Sequence, residues 1–134
     1  DGRATSIENC SNAVNSASEI SKNMKTLNSE MKVDFSEEMR FGMGIHAGNT
    51  IVGLMGYGKA VTETAVGDNV NIASRLEELT KTYKCELAIS KYAAERASLN
   101  LDEFNLRSVD IRGRKEQLEI VTIDDASEIL KAPV

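Results

Sequence analysis

Between residues 4 and 30, apolar side chains recur at Ile7, Cys10, Val14, Ala17, Ile20, Met24 and Leu27. Steps of three and four residues align them along one stripe, which predicts an amphipathic helix that lays one face on a sheet. MKVDFSEEM breaks this period and reads as a polar connection. RFGMGIHA (residues 40–47) and TIVGLMG (from Thr50) then alternate apolar with small or polar residues on either side of the turn signal Gly48-Asn49, which predicts a β-hairpin. A third strand is expected over residues 63–66. Beyond Gly67, Asp68 or Asn69 can cap a helix running through VNIASRLEELTK, with Ile72, Leu76 and Leu79 on one face. LAIS reads as a short buried strand, and Ser90 as the cap of a short helix reaching Ala97. Residues 106–112 and 118–123 read as a hairpin around Gly113, and DASEIL as a last turn. Helices on an open, largely antiparallel sheet satisfy this order of elements.

The chain has 134 residues, a length that suits one domain burying about two-thirds of the surface of its unfolded chain. A net charge of −5 argues against a general nucleic-acid or anionic-membrane binder, because there is no global positive field to displace counterions from phosphates. A small charged ligand remains compatible, since only local charge matters to it. No apolar run approaches the roughly 20 residues of a membrane span, and DGRATSIENC has neither the basic nor the apolar region of a signal peptide. Cys10 and Cys85 stand too far apart to suggest a disulfide framework or zinc spacing, and both are read as buried thiols of a reducing compartment. His46 is the only histidine, so a His-based metal site is not expected.

GLMGYGKA (residues 53–60) imitates a phosphate-binding loop, with Gly53 and Gly58 five apart and Lys59 after the second glycine. Such a loop needs a Ser or Thr hydroxyl next, and must open into a helix facing the anion. Here Ala60 stands in that place and the β-branched, alternating VTETAV follows, so the stretch is read as a Gly-rich hairpin connection. Asn71 and Arg75 offer more. As i and i+4 they overlie one another on a different helix face from Ile72, Leu76 and Leu79. An amide and an always-charged guanidinium aimed at one point can stabilise charge developing on a phosphoryl oxygen. Spacing alone equally allows a solvated face on which Arg75 pairs with Glu78 or Glu63. Arg107, Arg112, Arg114 and Lys115 likewise form either a charge-protected edge strand or a phosphate arm.

GIHAGNTIVGLMGYG, then TAVGDNVNIASRLEELTK, then VDIRGR followed by LEIVTI, closely resemble in order and separation the C-terminal half of the class III adenylate and guanylate cyclase catalytic domain. The resemblance covers about residues 4–123, and its most specific run is GDNVNIASRLE. It implies an α+β fold, a ferredoxin-like, palm-type cyclase sandwich with a mostly antiparallel sheet, and it makes residues 1–134 the C-terminal portion of such a domain, without its N-terminal strands. It implies that Asn71 orients the ribose and that Arg75 stabilises the α-phosphate as the 3′-oxygen attacks and pyrophosphate leaves. Thr64 matches the purine-reading position and favours ATP over GTP, with Ala65 adding a backbone contact to the base. Arg112 matches a basic residue that holds the terminal phosphates, while Met43, His46 and the Gly-rich hairpin match scaffold positions.

The family holds two metal ions, Mg2+ or Mn2+, through two aspartates in motifs that this sequence does not match, so no metal ligand is expected in the chain. The resemblance therefore implies an adenylate cyclase fragment of bacterial type that is inactive alone. In the intact enzyme it would act as a homodimer or pseudo-dimer and convert ATP to cyclic AMP and pyrophosphate. The location implied is cytoplasmic, either free or as the cytoplasmic part of a larger or membrane-tethered protein. The alternative is a degenerate cyclase-homology domain that regulates or binds a partner, and retention of both Asn71 and Arg75 favours the enzyme.

Overall fold

A computed structural model describes residues 2–31, 39–48, 51–57, 60–66, 68–113 and 115–129, with side chains described outside 2–6, 51–57 and 60–66. Helix α1 spans Gly2–Met31, and strands β1 Met43–Ile45, β2 Ile51–Tyr57 and β3 Ala60–Val66 follow. Then come α2 Asp68–Tyr83, β4 Leu87–Ser90, α3 Lys91–Arg96, β5 Asn105–Val109 and β6 Leu118–Ile123. Single 3-10 turns lie at Leu101–Glu103 and Ala126–Glu128.

Four strands form a sheet in the order β1-β4-β6-β5. β1 runs parallel to β4, with Met43 opposite Leu87, while β6 pairs antiparallel with both β4 and β5. α2 covers one face through Ile72, Leu76 and Leu79, which cluster with Ala88, Val109, Ile111 and Ile120. The other face carries α1 and α3, where Val14, Ala17, Ala93, Ala94 and Ala97 join Leu87, Ile89, Val121 and Ile123. LAIS is buried at all four positions because alternate side chains enter these two cores, which is why it reads as an unbroken apolar run. Ser90 caps α3 as expected, its hydroxyl accepting from the Ala93 N–H at 3.4 Å.

Three expectations change. The hairpin anticipated across Gly48-Asn49 is not the pairing adopted: β1 joins β4, and β2 pairs antiparallel with β3 from Ile51↔Val66 to Tyr57↔Ala60. Alternation marks a strand but not its partner, and the intervals closed by the shortest loops win locally. β3 begins at Ala60 rather than at Glu63, so the GLMGYGKA stretch contributes to both strands of this second hairpin; Gly58 and Lys59 themselves lie outside the described residues. The stripe of α1 is also rotated. Its buried seam is Cys10, Val14, Ala17, Ser18 and Ser21, whereas Ile7, Ile20 and Leu27 are exposed.

The serines are buried for a reason. Ser21 donates its hydroxyl to Glu86 at 2.6 Å, and the same Glu86 oxygen accepts the Ala126 N–H at 2.9 Å. Lys25 on the next turn of α1 donates to Asp125 and to the Ser127 hydroxyl. These bonds tie α1 to the 3-10 turn after β6. Both cysteines are buried, and burial pushes the Cys85 thiol up from its ordinary 9.0, keeping it protonated as packing.

Candidate active site

The elements that position α2 come first. On β1 and the residues flanking it, alternate positions from 42 to 48 face this helix, and all but His46 are glycine. A Cβ on Gly44 would lie 2.4 Å from the Ala73 carbonyl oxygen and 2.6 Å from the Glu77 nitrogen, both backbone atoms. One on Gly42 would lie 2.0 Å from the Thr80 hydroxyl, and one on Gly48 2.3 Å from the Asn69 side chain. Hydrogen in place of Cβ lets the helix axis settle directly onto the strand, antiparallel to it. His46 is the next alternate position after Gly44. Its Nε2 lies 3.0 Å from Asn69 Oδ1, where Nε2–H donates to the amide oxygen in the first turn of α2.

Two residues beyond Asn69, Asn71 is exposed, and Arg75 is exposed one turn further along the helix. Ile72, Leu76 and Leu79 take the buried side, so an amide and a guanidinium share the solvent-facing surface of a helix anchored by its other face. Arg75 Nη1 donates to Glu78 Oε2 at 3.1 Å, with both side chains about half exposed. That is the solvated pairing the spacing allowed. An exposed pair of this kind contributes about 0.2–1 kcal/mol, too little to hold the guanidinium against a phosphate that it can grip with two N–H groups.

Thr64 and Ala65 lie in β3, paired through their backbones with Gly53 and Val52, and the strand ends at Val66, two residues before α2 begins. Arg112 is exposed in the turn beside Gly113, whose φ of 88° is the left-handed value that a tight turn asks of glycine. β5 leads to that turn, and its Arg107 reaches the last residue of α2. There Arg107 stacks on Tyr83, 4.2 Å from the ring centre, and donates Nε–H to Thr122 at 3.1 Å. Arg107 is therefore committed to packing and leaves the basic cluster, whose Arg114 lies outside the described residues. None of the described hydrogen bonds or ion pairs joins Arg112 to Asn71 or Arg75.

A cavity of about 460 Å3 opens at the far end of α2, among Asn28, Arg40, Gly42, Thr80, Lys84 and Cys85, and touches neither Asn71 nor Arg75. It is not the site of this pair. Among the described residues no three His, Cys, Asp or Glu side chains come together in a group that could hold a metal ion. What reading by residue type missed is the seat of α2. Its signal was present in the small residues at 42, 44 and 48, alternating with Met43, Ile45 and Ala47.

The sequence model of the adenylate and guanylate cyclase catalytic domain matches residues 3–124. The terminal-differentiation-specific adenylate cyclase of Dictyostelium discoideum is 38% identical over 87 residues, which make up 63% of this chain and 4% of that protein. An adenylate cyclase of Anabaena cylindrica is 35% identical over 86 residues, 61% of this chain and 17% of that protein. The chain thus spans a small part of the curated relatives it matches. The crystal structure of the guanylyl cyclase Cya2 superimposes with a TM-score of 0.72 at 22% identity, covering 92% of this chain and 63% of that one, a likeness of fold. With the family's sequence model matched over residues 3–124, the chain belongs to the adenylate and guanylate cyclase catalytic domain family.

Proposed function

We propose that this chain forms the ribose- and α-phosphate-holding part of an adenylate cyclase that converts ATP to 3′,5′-cyclic AMP and pyrophosphate. The observation that carries the reading is the exposed pair Asn71 and Arg75 on one face of α2, whose opposite face is buried in the sheet. In the reaction the 3′-oxygen bonds to the α-phosphorus while the bond to the bridging oxygen breaks. Pyrophosphate departs with that electron pair, and the hydroxyl proton passes to water. Negative charge grows on the α-phosphoryl oxygens, and the Arg75 guanidinium is the group to meet it. Asn71 holds the ribose so that the 3′-oxygen stays in line with the leaving group.

Thr64 reads the adenine amino group with its hydroxyl, Ala65 adds a backbone contact, and Arg112 grips the terminal phosphates as a two-pronged donor. Mg2+ or Mn2+ serves the whole protein, with ligands outside the described residues, and catalysis proceeds in a homodimer or pseudo-dimer. No helix among the described residues is long and apolar enough to cross a membrane, which suits a catalytic segment working in the cytoplasm of a bacterium.

The test is a cyclase assay on the whole encoded protein with Mn-ATP and Mn-GTP, run beside the isolated 134-residue chain. Cyclic AMP from the whole protein and none from the isolated chain is expected. Tight ATP binding without any cyclic product would transfer the assignment to a regulatory cyclase-homology domain, and turnover by the isolated chain would show that the metal carboxylates are not needed from elsewhere.

A further inference from the structure

We infer that His46 and Asn69 are positioning residues, a clamp between β1 and the first turn of α2 that sets where Asn71 and Arg75 stand. The inference rests on the cyclase reading for its kinetic consequence. Its structural part stands independently. The bond from His46 to Asn69 is 3.0 Å long, partly buried, and joins residues 23 apart in sequence. It falls at a special place. Beside the apolar packing of α2, Gly44 lies against the helix backbone and Gly42 against the Thr80 side chain, contacts that fix how far the helix stands from the sheet but offer a smooth seat with no directional bond against sliding or rotation. Hydrogen atoms resist neither motion.

His46 is the side chain after these glycines that reaches across, and Gly48 leaves room for the Asn69 amide to lie against the strand's continuation. The Asn69 side chain is thus held between a ring donor and a glycine backbone. A directional bond at one end of a smooth seat fixes rotation and translation together. Asn71 and Arg75 follow Asn69 by two and six residues on the same rigid helix, so any slip of the first turn moves both side chains as a unit. Cysteine or phosphate chemistry plays no part here: the clamp acts through position alone.

Both proposed residues serve a step that is sensitive to alignment, so the clamp should appear in turnover more than in substrate affinity. For His46→Leu and, separately, Asn69→Ala in the whole encoded protein, kcat should fall by about tenfold or more with KM within about twofold, since misplacement by about 1 Å costs on the order of a hundredfold. His46→Gln should recover most of the loss, because its terminal amide can donate from nearly the same distance along the side chain as Nε2. In an Asn71→Ala background, His46→Leu should cost clearly less than it does in the wild-type protein, because only the misplacement of Arg75 is left to be felt and residues acting through one another are not additive.

A general loss of folded protein would act equally in both backgrounds and would not be rescued by Gln. Full activity in folded His46→Leu or Asn69→Ala, or a full additional loss on top of Asn71→Ala, would overturn the inference. Hydrogen exchange followed by mass spectrometry on the same variants decides the matter even where the wild-type protein shows no cyclase activity, which would refute the function and not the clamp. The peptide covering residues 68–76 should exchange faster in Asn69→Ala than in wild type, while the C-terminal half of α2 stays unchanged. Identical exchange in the two proteins would overturn it.

Discussion

Arg75 is a half-exposed side chain with a weak partner, and its proposed importance comes from where it points rather than from what it holds in the folded chain. Arg75→Ala should therefore leave stability within about 0.5 kcal/mol of wild type, as surface substitutions do. If the proposed role holds, it should lower kcat by on the order of a hundredfold or more, with a much smaller change in KM, because a charge that meets the transition state acts on turnover. Steady-state kinetics that moved only KM would make it a ground-state binder. Thr64→Asp should keep the preference for ATP in a competition assay, since a carboxylate accepts from the adenine amino group and repels guanine O6; a swing to GTP would contradict the purine-reading role. At this scale much was legible. Helical periodicity alone put Asn71 and Arg75 on a different face from Ile72 and Leu76. Ser18 and Ser21 were not legible as core, because a buried serine looks like a surface serine until its acceptor, here Glu86 at 2.6 Å from Ser21, is brought in from 65 residues away.

At the scale of elements, the tie between α1 and the Ala126–Glu128 turn responds to pH. Burial pushes the Asp125 carboxyl up, but hydrogen bonds from Lys25 and from the Ser127 hydroxyl and N–H outweigh it and leave the group below its ordinary 3.8. A lowered carboxyl adds stability that is present above the unfolded value and is lost as pH falls through the folded one. Lys25 is shifted above its ordinary 10.5, chiefly by its bond to Asp125, so its share is present below that value and is lost only as pH rises past it. Both side chains are more than a third exposed, and the pair should contribute no more than about 1 kcal/mol. Asp125→Asn should lower the Tm modestly and by a constant amount across neutral pH, with the two proteins converging as the pH falls below the carboxyl's ordinary 3.8 and through its lowered folded value. A difference that persisted in acid would show that the tie is not the ion pair. Element types were readable from period and caps, as with LAIS and Ser90. Pairings were not, because the alternation in RFGMGIHA suits a neighbour on either side and only the glycine seat for α2 fixes its orientation.

For the molecule as a whole, two cores lie on opposite faces of one sheet, and β1 joins one of them through Met43 and Ile45 while its glycine lies against the backbone of α2. Gly44→Ala would set a methyl carbon 2.4 Å from a helix carbonyl, and the helix would have to lift. A loss of about 1–3 kcal/mol or more is expected, the usual result of forced overpacking. Gly113→Ala, with open space around it and only its φ of 88° to object, should lose about 1–2 kcal/mol. Calorimetry on the two variants should show the larger fall in Tm for Gly44→Ala, and the reverse order would mean that α2 is not seated as closely as described. The parallel match of β1 to β4 also carries a message about time. Met43 meets Leu87 across 44 residues of chain, the difference of their numbers, whereas β2 and β3 are joined by a two-residue connection. Closing the long loop costs entropy before any contact repays it. The β2–β3 hairpin can thus form early, while β1 must wait until α2 and β4 have come together to offer it both a neighbour and a lid. Docking of β1 then belongs to the descent from the folding barrier. Gly44→Ala should leave the refolding arm of a chevron nearly unmoved and accelerate the unfolding arm, so that the strand seating α2 is the last to arrive and the first to leave.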